Sequence, residues 1–319
     1  MRRLPLPRRL CGSRCYSTHA PLYPYVDYTR HRQRVYYTAD YEKADKMARI
    51  MLMNCEKFPL IALDSEWSTP FPFARPYKQR PLALLQLCDR TAILLLHLHH
   101  MHAVPEHVRL LLETEEIVKM GVNVRIDAKK LHDLGIKAKG MCEASRLCRE
   151  VKEHGYLHHD GVGNAGGDGD VDKGGYDRGQ NLGGKLLANK GVFGHRRPII
   201  SLKSLSRVML GQELAKDQHA RLSNWEMRYL TPQQKEYAAN DVFATYLISN
   251  AIIKEQVLPP YHLEVFGYDG DAIRVQKSGH GTLREHLAEC SRRLSERRRA
   301  DTLREMEAAA AATAADLSK

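Results

Sequence analysis

The spacing of apolar and polar positions changes period several times along the chain, and each change marks an element. From Tyr41 to Phe58 the pattern is helical. Leu60-Ile61-Ala62-Leu63 then runs apolar into Asp64-Ser65-Glu66, predicting a strand over 60–66. Further strands are predicted at 82–88 and 91–98, which by spacing makes a β-meander. A helix near 105–114 leads to a short strand at 117–121, and a second helix opens near Asn123 and stops at Gly135. After Pro198-Ile199-Ile200 come a helix over 202–210 and a long one after Thr231-Pro232-Gln233-Gln234. Thr as N-cap, Pro at the first helical position and Gln three residues on form a capping box. Thr282 and Glu285 repeat that device before a charged helix running to about Ala312, with Leu283, Leu287, Cys290 and Leu294 along one stripe. Strands and helices in this order predict an α/β sandwich.

Residues 152–198 differ in kind. They are dense in Gly, Asp, Asn and His and cannot bury enough apolar area to offset chain entropy, so a disordered or mobile insertion is expected. Asp168, Asp170 and Asp172 imitate the start of a calcium loop, but Lys173 stands where the turn glycine belongs and Gly179 where the bidentate glutamate belongs. Neither a calcium site nor a dinucleotide-binding loop is expected there.

The N-terminal end carries much of the excess charge. Among 319 residues the formal net charge is +11, which suits a polyanionic partner such as a phosphate backbone. Arg2, Arg3, Arg8, Arg9 and Arg14 precede the first acid, Asp27, and Arg14-Cys15-Tyr16-Ser17 resembles a processing site. Residues 1–40 are therefore expected to be a mitochondrial presequence and linker, the alternative being a basic tail on a nuclear or cytoplasmic protein. The seven cysteines show no C-x-x-C spacing, no run is long enough for a membrane span, and His97, His99, His100 and His102 lack flanking ligands for zinc. A solvated loop is expected at those histidines.

Chemistry enters through acids in three separate segments. Strand alternation puts Asp64 and Glu66 on one side. An i, i+4 spacing puts Tyr237 and Asp241 on one helix face, and Asp127 lies in the early turns of the helix after Gly121-Val122-Asn123. Carboxylates that converge repel unless cations neutralise them, and hard divalent ions with oxygen ligands do so.

The order Asp-x-Glu, Asp, Tyr-x-x-x-Asp resembles the tyrosine-type branch of the DEDD 3′-5′ exonuclease superfamily. Within it the similarity is greatest to the Werner syndrome helicase exonuclease domain and its stand-alone relatives. Trp67, Ala83-Leu84-Leu85-Gln86-Leu87-Cys88, Gly121-Val122, Ser204-Leu205, Leu210-Gly211 and Ser223-Asn224-Trp225 extend the match over roughly residues 45 to 255, minus the insertion. The resemblance implies a ribonuclease H-like mixed β-sheet flanked by helices, an exonuclease domain over 41–258, and a C-terminal extension over 259–319. It also implies two Mg2+ or Mn2+ ions held by Asp64, Glu66, Asp127 and Asp241, with Tyr237 orienting the attacking water. The implied reaction releases nucleoside 5′-monophosphates from 3′ ends of nucleic acid, DNA favoured and RNA possible. Trp67 is a candidate either to stack on a base or to anchor the core. The rival readings are an RNA-trimming exonuclease of ribonuclease D type and a non-catalytic nucleic-acid-binding scaffold.

Overall fold

The computed structural model describes residues 24–31, 33–68, 80–153, 199–215, 217–254, 262–269, 272–280 and 282–317. The arginine-rich start with its processing-like pattern, the Pro-rich connection 69–79, and the Pro259-Pro260 boundary lie outside the described residues. So does the insertion beyond Glu153, including Asp168, Asp170 and Asp172.

The chain builds one mixed sheet with helices on both faces. In order along the sequence the elements are β1 (Arg34–Thr38), α1 (Tyr41–Cys55), β2 (Leu60–Glu66), β3 (Leu84–Cys88), β4 (Ala92–Leu96), α2 (Glu106–Glu113), β5 (Val118–Gly121), α3 (Val124–Asp133), β6 (Met141–Glu143) and α4 (Ala144–Glu153). There follow α5 (Leu202–Leu210), α6 (Gln218–Arg221), α7 (Pro232–Lys254), β7 (His262–Asp269), β8 (Ala272–His280) and α8 (Leu283–Leu317). The strand order is β1-β4-β3-β2-β5-β6-β7-β8. The meander expected from spacing is present: β2 and β3 are antiparallel, as are β3 and β4. On either side of it β1 joins β4 and β5 joins β2 in parallel. The sheet takes in strands on both sides of the 41–258 span, with β1 before it and β7 and β8 after it.

Each sheet face has its own core. Ile61 and Leu63 of β2 and Leu85 and Leu87 of β3 point toward α1, α2 and α3. Ala62, Leu84 and Cys88 point the other way, onto Ala238, Ala239, Val242 and Phe243 of α7. Helix α7 is buried almost all round, as a helix lying across a sheet with further helices around it must be. Its start is set as the sequence predicts: Thr231 N–H donates to Gln234 Oε1 at 2.8 Å, and Gln234 N–H donates to Thr231 Oγ1 at 3.2 Å.

The first half of α8 is packed rather than solvated. Leu283, Leu287 and Cys290 are buried, and Ser291 Oγ donates to Glu56 O at 2.7 Å. Arg297 pairs with the buried Glu116 at 2.7 Å, and Arg298 pairs with Glu56. From Arg299 to Ala309 the helix is exposed, including Leu303 and Met306. Among the described residues no helix is long and apolar enough to cross a membrane.

The histidine cluster is not a solvated loop throughout. His99 and His100 are exposed, but His97 is fully buried, with Nδ1 2.7 Å from Tyr37 Oη and Nε2 2.9 Å from Trp225 O. The carbonyl can only accept, so Nε2 carries the proton and Nδ1 accepts from Tyr37. Both partners lie far away in sequence, which is why the local composition did not reveal them.

Candidate active site

Three segments meet at the end of β2. Asp64 and Glu66 leave the strand on the α7 side, and Asp241 stands in α7 opposite them. One carboxylate oxygen from each of Asp64, Glu66 and Asp241 lies within 4.8 Å of the others. Asp64 and Glu66 are half-buried and Asp241 is buried.

Asp127 reaches the cluster by a different route. Ser65 lies between the two strand acids and so points to the opposite sheet face, where its hydroxyl donates to Asp127 Oδ1 of α3. The start of α3 is shaped to bring Asp127 there. Asn123 takes a left-handed conformation (φ 60°), which Asn tolerates better than most residues. It makes no side-chain cap, and Glu143 of β6 supplies one instead, accepting from Val124 N–H at 3.1 Å. A Cβ on Gly121 would lie 2.7 Å from Val124 Cγ2 and 3.1 Å from Leu63 O, so the approach of β5 and α3 to β2 requires glycine.

The wall beside Asp241 is formed by Tyr237 and Trp225. Tyr237 precedes Asp241 by one turn and hydrogen-bonds to its side chain. Its ring centroid is 6.3 Å from that of the fully buried Trp225. Trp225 N–H donates to Ser68 Oγ at 3.0 Å, fixing this segment to the end of β2, and Gln234 Nε2 donates to Asn224 O at 3.1 Å, fixing it to α7. Trp67, just beyond Glu66, is half-buried, with Lys130 Nζ 4.7 Å from its ring centroid. That contact makes a cationic and aromatic corner next to the acids.

The electrostatics are those of crowded, partly desolvated acids. Burial holds Asp64 up at about 6. Burial first, and then the charges of Asp64, Asp241 and Asp127, push Glu66 well above the carboxylate range, with Arg221 acting the other way. Asp127 is raised by burial and by Asp64, against the lowering effect of the Ser65 hydrogen bond. Tyr237 is raised by burial and by Asp241, Glu66 and Asp64, so its phenol stays protonated. Such a set of oxygens suits a hard divalent cation, which would relieve the repulsion that raises these groups.

The structure therefore brings together all five residues singled out in the sequence, Asp64, Glu66, Asp127, Tyr237 and Asp241, with Trp67 at the edge. Sequence reasoning missed Ser65, Glu143 and Arg221, and gave Gln86 no role. A polar residue inside an otherwise apolar strand is the signal that marks Gln86, whereas Ser65 sits between two acids and carries no such signal.

Comparison with known proteins agrees with this geometry. A family model described as 3′-5′ exonuclease matches residues 41–159 and 175–256. The chain belongs to the 3′-5′ exonuclease family. It is 28% identical over 211 residues to exonuclease 3′-5′ domain-containing protein 2 of Drosophila melanogaster, covering 66% of this chain and 27% of that protein. It is 27% identical over 191 residues to the bifunctional 3′-5′ exonuclease/ATP-dependent helicase WRN of Mus musculus, covering 59% of this chain and 10% of that protein. The chain thus spans well under half the length of these two relatives. Among solved structures, Trypanosoma brucei RNase D matches with a TM-score of 0.50 at 17% identity, covering 72% of this chain and 68% of that one. At that identity the likeness concerns the fold, a ribonuclease H-like sheet with flanking helices.

Proposed function

We propose that this exonuclease family member is an active, metal-dependent enzyme that removes single nucleotides from the 3′ end of nucleic acid, with DNA as its favoured substrate, and releases nucleoside 5′-monophosphates. The observation that carries this reading is the convergence of Asp64, Glu66 and Asp241 within 4.8 Å, with Tyr237 hydrogen-bonded to Asp241. A scaffold that only binds nucleic acid has no need for buried acids whose repulsion raises their own pKa values.

Asp64, Glu66 and Asp241 would hold one cation, and Asp64 with Asp127 would hold a second. Two Mg2+ or Mn2+ ions would supply an activated water and stabilise charge on the leaving oxygen. The protein's own part is positional. Ser65 fixes Asp127, and the capped start of α7 fixes Tyr237 and Asp241 on successive turns. Tyr237 directs its O–H hydrogen bond to Asp241, which leaves its oxygen lone pairs to accept from the attacking water; it orients the water without acting as the base. Trp67, supported by Lys130, would stack on a base near the 3′ end.

The DNA preference rests on the resemblance of the acidic and tyrosine motifs to the Werner-type exonuclease domain. The arginine-rich start is proposed to direct the chain to mitochondria, to be checked by fusing residues 1–40 to a fluorescent reporter. Activity is tested on 3′-recessed duplex DNA and on single-stranded RNA with Mg2+ or Mn2+, beside an Asp64→Ala control. A single-nucleotide ladder on DNA that disappears in the control is the expected result. A ladder on RNA alone would transfer the chain to RNA trimming. Activity retained in Asp64→Ala would overturn the site.

A further inference from the structure

One polar side chain inside the sheet has no hydrogen-bonding partner. Gln86, in the middle of β3, is fully buried, and neither its amide nitrogen nor its amide oxygen meets a hydrogen-bonding group among the described residues. Buried polar groups are nearly always paired, because an unmade bond in an apolar setting is costly. The neighbouring positions, Leu84, Leu85 and Leu87, show that leucine packs well in this strand. Packing alone would therefore favour an apolar residue at 86.

The register of the sheet supplies a reason for the glutamine. Gln86 lies directly opposite Asp64 in the antiparallel β2–β3 ladder. Paired residues send their side chains to the same face, so the carboxamide shares the α7 side of the sheet with the Asp64 carboxylate. Opposed Cβ atoms in such a ladder are about 4.5–5.5 Å apart, a span that a carboxamide and a carboxylate close directly or through one water. Leu95 of β4 pairs with Gln86 on its other side, and Leu84 and Cys88 flank it on the same face. The polar neighbour that the register provides is Asp64.

We infer that Gln86 is a positioning residue for Asp64: its amide N–H donates to the Asp64 carboxylate, directly or through a water, when the acidic cluster holds a divalent cation. The inference rests on the proposed function, in which Asp64 contacts both ions. A carboxylate with that task must keep one rotamer, and an amide opposite it in the sheet restricts it without adding charge. Partners that orient a ligand in this way typically contribute about 10- to 100-fold to metal affinity.

The test compares the full chain with Gln86→Met, which keeps the volume and loses the hydrogen-bonding atoms, and with Gln86→Leu as a second apolar variant. Three quantities are measured: metal-free melting temperature, Mn2+ affinity by calorimetry, and the Mn2+ concentration needed for half-maximal nucleotide release. The expected result is an equal or higher metal-free melting temperature, with Mn2+ affinity about 10-fold weaker and a matching rise in the half-maximal Mn2+ concentration. A purely structural role would do the reverse, lowering the melting temperature and leaving Mn2+ affinity unchanged, and that result would overturn the inference. If either apolar variant fails to fold, the other decides by the same readouts, and failure of both would also count against it. Wild-type protein that binds no Mn2+, or whose Mn2+ binding survives Asp64→Asn, would instead reject the proposed metal site. The two failures are thus distinguishable.

Discussion

Ser65 and Asp127 meet across the end of the sheet, one pointing down from β2 and the other up from α3, joined by the serine hydroxyl. The contact couples the two segments that carry three of the four acids. Removing the hydroxyl leaves a buried carboxylate short of a donor, a change of about 1–3 kcal/mol. Ser65→Ala is expected to slow nucleotide release by roughly 10-fold or more while the circular dichroism spectrum stays native. Unchanged turnover at limiting Mg2+ would show that α3 places Asp127 without help from the strand.

The acids of the cluster raise one another's pKa values, so in the absence of metal they work against folding. Asp64→Asn removes one charge from that group and keeps its shape. Its metal-free melting temperature is expected to rise, by roughly 1–2 °C for each 1 kcal/mol relieved in a chain of this size. The further rise that Mn2+ gives the wild type should be absent in the variant. Thermal melts with and without Mn2+ check both halves, and a fall in the metal-free melting temperature would contradict the electrostatic account.

Tyr237→Phe separates positioning from metal holding. Loss of the hydroxyl leaves Asp64, Glu66 and Asp241 in place but removes one hydrogen bond to Asp241, so Mn2+ affinity should fall by no more than about 10-fold while nucleic-acid affinity is kept. The rate of release should fall by about 10- to 1,000-fold, the range over which a single positioned group contributes. A variant that loses Mn2+ affinity in parallel with rate would make the tyrosine part of the metal-holding set.

These expectations differ in how far the sequence alone supports them. Strand alternation is enough to put Asp64 beside Glu66, and the Thr231 capping box is enough to place Tyr237 one turn from Asp241, because both rules are local. The partners of Ser65, Gln86 and His97 are set by register and by contacts between distant segments, which no local pattern records. The same holds for β1. Arg34–Thr38 reads RVYYT, strand-favouring but only five residues long, and its pairing with β4 is parallel and crosses more than fifty residues. The stripe on α8 is visible in the sequence, but what it packs against is not, since Leu60, Val118 and Ile252 come from β2, β5 and α7.

The two halves of α8 should respond differently to change. Leu287 is 4% exposed and packs with Leu60, Val118 and Ile252. Leu287→Ala is expected to cost about 2–5 kcal/mol. Truncation after Arg299 removes only exposed turns among the described side chains and should leave the melting temperature within about 2 °C. Chemical denaturation of both proteins is the check. Equal losses would mean that the distal turns also pack against the body.

His97 makes a prediction about acid. Burial lowers its pKa from 6.5 to about 4, since protonating Nδ1 would put a charge in the interior and displace the Tyr37 hydroxyl that donates to it. The folded state therefore binds this proton less readily than the unfolded chain does. The stabilisation from neutral His97 is complete above pH 6.5 and is lost as the pH falls toward about 4. Over that window this one group contributes a slope approaching 1.4 kcal/mol per pH unit. His97→Gln, which can still donate to Trp225 O but does not titrate, should be less stable near neutrality and should lack this part of the slope. Denaturation midpoints measured across the window distinguish the cases. If both proteins lose stability along the same slope, acid unfolding begins elsewhere, and His97 serves only to hold Trp225 against Tyr237.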